Sequence, residues 1–180
     1  MLLALLLVGF GGLGGCLRPL ADPTGIDPAL DDIVIAYRST VAAALDDPQL
    51  DWHAGWLGNT AVEHGRADDV GYCWHWQTIV RDGVAEAVED AGWAWRGIGA
   101  HQGHPLEHHA LLVHDPRRVR AEDLLAGDPA AGTAWVLDPW IRGRPDVYDA
   151  AAWIRRMGRT TELVAVWPRT SFGPGAPGQR

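Results

Sequence analysis

The chain has 180 residues, with 23 acidic side chains against 15 basic ones, all Arg, for a formal net charge of −8. An acidic balance without a basic patch argues against nucleic acid as a partner. The length suits one domain with a real core, and ten Trp, in close pairs such as Trp74 and Trp76, supply large areas for it to bury.

Residues 1–15 form an apolar run without a charged side chain. The run is too short to span a bilayer and reads as the hydrophobic region of a secretory signal peptide. Leu13-Gly14-Gly15-Cys16 then resembles the lipobox of bacterial lipoproteins. The resemblance implies that Cys16 is lipidated and begins the mature chain, which would be membrane-anchored in the cell envelope. Leu17, not Asp, follows Cys16, which by resemblance to lipoprotein sorting in double-membrane bacteria points to the outer membrane, facing the periplasm. Residues 16–27 read as a tether. With Cys16 taken by lipid, Cys73 is the free thiol of a chain in an oxidising compartment.

The domain proper is expected over residues 28–170. Pro28 to Leu45 reads as a helix, with Ile33, Ile35, Ala36, Val41, Ala44 and Leu45 giving a roughly helical apolar face and Pro28 suited to the first turn. Residues 49–71 read as a long loop rich in Gly, His and Asp, and long loops within domains are often functional. A second helix is expected from Cys73 to Ala91, with Gly83 as a weak point and Gly92 as its C-cap. Alternation from Trp93 to Ala100 and from Glu107 to His114 predicts two strands paired as a hairpin. Residues 115–133 hold Pro, Arg and acidic side chains and read as a solvated excursion. Strands follow at Ala134–Leu137 and Glu162–Trp167, with a short helix between them that Asp149 caps and Met157 closes. Residues 171–180 are Gly- and Pro-rich and read as a disordered tail. The sum is an α+β domain, helices packed on a mostly antiparallel sheet.

Three residue types on this framework point to chemistry. Cys73 sits in Gly71-Tyr72-Cys73-Trp74-His75-Trp76, at a helix start. A thiol reacts as thiolate, and the partial positive charge of a helix N-terminus favours that form. A histidine can take the thiol proton, and a carboxylate can fix the tautomer of that histidine. His108 and His109 lie on the second strand, and Asp138 ends the third. Neighbours in a strand face opposite sides, so only one of the two His can point at Cys73. His75, two positions along the helix and about 200° round, leaves the nucleophile's face and should pack against or bond the sheet.

The blocks Gly71–Trp76, Glu107–Val113 and Trp135–Trp140 resemble, in order, those of bacterial transglutaminase-like, papain-fold proteins, closest to uncharacterised lipoproteins of that group. The likeness covers residues 50–142. It implies a papain-like or transglutaminase-like core and a catalytic triad in which Cys73 is the nucleophile. In the lipoprotein group the second block reads Glu-His-Asn, which aligns His108 with the base. The general block reads His-Ala, which favours His109. His108 is the expected base and His109 the alternative. Asp138 would orient the imidazole. The backbone N–H of Cys73 and a donor from residues 50–71 would form an oxyanion hole, with Trp56, Asn59 and His53 as candidates.

The implied activity is acyl transfer or amide hydrolysis through a thioester, on a peptide or peptidoglycan-type amide, and we read no cofactor from the chain. Two other readings use the same residues. His101, His104, His108, His109 and His114 lie within fourteen positions and could bind a transition metal, though their spacing fits no familiar zinc motif. The fold could also serve as a non-catalytic envelope module that binds through a Trp-lined groove.

Overall fold

The computed structural model describes residues 18–20, 22–48, 50, 55, 72–104, 106–126 and 132–167. The apolar leader, Cys16, His53, Trp56, Asn59 and the 171–180 tail lie outside them. The described residues form an α+β domain with four helices and a five-stranded antiparallel sheet. The helices are α1 (Pro28–Asp46), α2 (Cys73–Asp90), α3 (Ala121–Ala126) and α4 (Ala150–Met157). The strands are β1 (Ala94–Ala100), β2 (His108–His114), β3 (Ala134–Leu137), β4 (Val147–Asp149) and β5 (Glu162–Val164), in the sheet order β4-β3-β2-β1-β5.

Local chemistry sets the boundaries. The Asp27 carboxylate accepts from Ala29 N at 2.9 Å and caps α1, with Pro28 at a position where no backbone donor is needed. Asp149 accepts from Ala152 N at 2.9 Å and caps α4, as its place in the sequence predicts. Gly92 takes φ +67° just past α2, a left-handed conformation that glycine adopts without steric cost.

Alternation along β2 places Leu111 and Val113 on one face and Ala110 and Leu112 on the other. The first face packs with Val34, Tyr37 and Val41 of α1 and Trp76, Val80 and Val84 of α2. The second packs with Leu124 of α3 and Trp153 of α4. The sheet is thus covered on both sides, and every residue of β2 is buried. This corrects the reading of residues 115–133 as a solvated excursion. Within it, α3 turns Ala121 and Leu124 inward, and Leu124 is fully buried. Burial of one leucine contributes about 1.5–3 kcal/mol, enough to hold a six-residue helix that would not persist alone. The short strand β4 also escapes the sequence reading, because three residues carry too little alternation.

Ahead of α1 the chain lies along the domain: Leu20 N donates to Val147 O of β4 at 2.8 Å, and Leu20 packs against the core. Tyr37 of α1 is buried and donates its hydroxyl to Asp146 O at 3.1 Å, tying the first helix to the turn before β4.

Gly83 is no weakness but a requirement of helix packing. A Cβ there would lie 2.0 Å from Thr40 Oγ1 and 2.7 Å from Thr40 Cβ on α1. Helix propensity alone favours alanine by about 1 kcal/mol. Gly83→Ala is nevertheless expected to destabilise by about 1–3 kcal/mol, because α1 and α2 must separate. Urea unfolding midpoints of the two proteins decide the sign.

Candidate active site

Cys73 is the first residue of α2, and its N-terminal turn is built by its neighbours. Tyr72 N donates to His75 Nδ1 at 3.2 Å, so His75 caps its own helix. Burial holds the His75 pKa down to about 4, which keeps the ring neutral and its Nδ1 an acceptor. A link from α2 to the sheet is made two positions later: Gln77 Nε2 donates to Ala110 O of β2 at 2.6 Å. That contact fixes the helix start against the start of β2. The Cys73 thiol then lies 3.8 Å from Glu107 O, the residue before β2, and is 2% exposed.

His108 opens β2. Its Nε2 lies 2.7 Å from Asp138 Oδ2, and both side chains are buried. The same oxygen accepts from Trp153 Nε1 at 3.0 Å. Asp138 follows β3 directly, ahead of Pro139, and its backbone N donates to Asp146 O at 3.1 Å. Trp140 stacks on the imidazole, with ring centroids 4.6 Å apart and planes at 28°, and Trp153 lies 5.7 Å away at a tilt. The carboxylate–imidazole bond is therefore enclosed by two indoles, which exclude water from it.

Three influences compete on the His108 proton. Burial is the largest and disfavours the charged ring. The Asp138 charge and hydrogen bond oppose it, and the Cys73 side chain adds to them, raising the pKa to about 10. This balance makes His108 a strong base toward the thiol beside it. Its Nδ1 is buried and takes no hydrogen-bond partner of ordinary geometry among the described residues, and Cys73 is the thiol that acts on the ring.

His109 has a different partner. Its Nε2 meets Glu107 Oε1 at 2.6 Å, and this bond is the main reason that the Glu107 carboxyl is held below its usual range. Of the two strand histidines, His108 is the one brought to both Cys73 and Asp138. Of the remaining histidines, the His101 and His104 rings lie 6.4 Å apart, and each bonds elsewhere, His104 Nδ1 accepting from Leu106 N at 3.2 Å. His114 Nδ1 lies 3.2 Å from Val119 O, and His101 Nδ1 lies 3.0 Å from Thr160 Oγ1. Among the described residues no three His, Cys, Asp or Glu side chains come together as metal ligands.

A cavity of about 450 Å³ opens beside His108, which lines it together with Trp140, Ile141, Leu106 and Met157. Sequence reasoning placed Trp140 in a motif but gave it no role, and it missed Trp153 altogether. The contact from α4 to Asp138 joins positions 15 apart through the packing of a helix on a sheet, and no local pattern encodes it. No protein-family model matches the chain, and no curated protein or solved structure matches it either.

Proposed function

We propose that this chain is a lipid-anchored envelope protein that performs acyl transfer or amide hydrolysis with Cys73, His108 and Asp138, on a papain-like or transglutaminase-like core. The observation that carries the reading is the buried 2.7 Å bond between His108 and Asp138 beside the Cys73 thiol at a helix start. Asp138 occupies Nε2, which leaves Nδ1 to take the proton of Cys73. The sulfur then attacks an amide carbonyl and forms a C–S bond. The oxyanion that develops meets the Cys73 backbone N–H, one of the first-turn donors that an α-helix leaves without an internal acceptor. His108 returns the proton to the amide nitrogen, the C–N bond breaks, and an amine departs. A thioester on Cys73 remains. Water or an amine resolves it after His108 removes the incoming proton.

Trp153 and Trp140 serve this cycle indirectly. The first holds the Asp138 carboxylate, and the second keeps the imidazole in a dry slot where its bond to Asp138 is not competed for by water. The signal-like leader and the lipobox-like Cys16 support a place on the outer membrane facing the periplasm, where peptide and peptidoglycan-type amides are at hand.

Iodoacetamide at pH 7 should alkylate Cys73, as read by peptide mass mapping, and Cys73→Ser should remove that label with the circular dichroism spectrum intact. A thiol that stays unlabelled in the folded protein and reacts only after denaturation would instead make the chain a non-catalytic module.

A further inference from the structure

We propose that the cavity beside His108 selects acyl substrates that carry a carboxylate, and that Arg156 holds that group. The inference rests on the reading of Cys73 and His108 as an acyl-transfer pair and names the substrate class for it. The chain as a whole is acidic, with 23 carboxylate side chains against 15 Arg. The cavity inverts that balance: among the described residues, its lining holds Arg142 and Arg156 and neither Asp nor Glu.

The two Arg are not equivalent. Arg142 is already neutralised, with its Nη2 2.6 Å from Asp146 Oδ1 and its Nε on the other carboxylate oxygen. Arg156, exposed in the last turn of α4, pairs with no carboxylate among the described residues. A guanidinium that pairs with no carboxylate among the described residues, in the lining of a cavity with apolar walls, is complementary to a ligand with an apolar stem and an anionic end. Leu106, Ile141 and Met157 offer that stem its walls, and His108 lies where the reacting carbonyl must come. The ligand class is therefore an amide or ester whose acyl part ends in a carboxylate, as an acidic side chain or a free C-terminus of a peptide does.

Glutaranilic acid and valeranilide have an anilide at one end and the same chain length, and differ in the terminal carboxylate. Their affinities for the full chain carrying Cys73→Ala can be measured by calorimetry without turnover. We expect the acid to bind at least about tenfold more tightly, the worth of one charge-assisted hydrogen bond. Adding Arg156→Ala should bring the ratio close to one, and the exposed position of Arg156 keeps the fold out of the comparison. A ratio near one before that substitution, a ratio unmoved by it, or no binding of the acid would each overturn the proposal. Alkylation of Cys73 separates this outcome from the parent reading. A thiol that fails to react while the ratio holds removes the acyl-transfer chemistry and leaves a carboxylate-binding pocket. A reactive thiol with no ratio removes the carboxylate proposal alone.

Discussion

His108→Ala is expected to slow alkylation of Cys73 at pH 7 by about 100-fold or more, the low end of what a positioned acid–base group contributes. His109→Ala should leave the rate nearly unchanged. Adjacent in sequence and both buried, the two rings differ only in what they meet. His108 lies between Asp138 and the thiol, and His109 is bound to Glu107. The pair of variants is thus a controlled comparison within one strand. Near-ultraviolet circular dichroism, dominated by the ten Trp, shows whether His108→Ala keeps the packing around the indoles. Equal rates for the two variants and the parent, with the fold intact, would remove His108 from the chemistry.

The second large effect is on stability and its dependence on pH. The His108 pKa is raised from its ordinary 6.5 to about 10 in the folded protein. Between these values the His108 ring is protonated in the folded chain and largely neutral in the unfolded one. The stabilisation is complete below pH 6.5 and declines by up to about 1.4 kcal/mol per pH unit as the pH rises towards 10. His75 acts in the opposite sense. Its pKa is held down to about 4, so the unfolded chain takes up a proton first and stability falls as the pH drops from 6.5 towards 4. The two groups together place the optimum near pH 6.5. Asp138→Asn removes the charge that holds the His108 proton, and burial then favours the neutral ring. This variant is expected to lose about 3 kcal/mol or more at pH 6.5, as broken buried ion pairs do, and to lose less as the pH approaches 10. Urea midpoints of both proteins from pH 5 to 10 measure the difference. Parallel curves would show that His108 does not carry the extra proton.

Cys73 and Asp138 could be named from the sequence because each stands at an element boundary with a local signature: a helix start after Tyr72 and a strand end before Pro139. The helix periodicity of α2 and the hairpin of β1 and β2 were equally legible, since seven- and eighteen-residue elements carry enough apolar repeats to declare themselves. The choice between His108 and His109 was not, because strand alternation says that the two differ and not which side the nucleophile lies on. That side is set by the docking of α2 on the sheet through Gln77, a contact across 33 positions. The helix α3 was hidden for a different reason. Glu122 and Asp123 beside two Leu give six residues a mixed character, and only the uncovered face of the sheet makes Leu124 a core residue. The need for Gly83 is hidden in the same way, as it lies in Thr40 on another helix.

The bond from Leu20 N to Val147 O has a consequence for reach. If Cys16 bears lipid, four residue steps separate the anchor from a point fixed on β4, at most about 14 Å of extended chain. Such a leash is too short to let the domain roam. It would ride against the bilayer with the β4 end of the sheet lowermost, and Arg142 and Tyr148 of the cavity lie at that end. The working radius of the thiol would then be the layer next to the membrane surface, and lengthening the chain between Cys16 and Leu20 would widen the set of acyl groups it can meet.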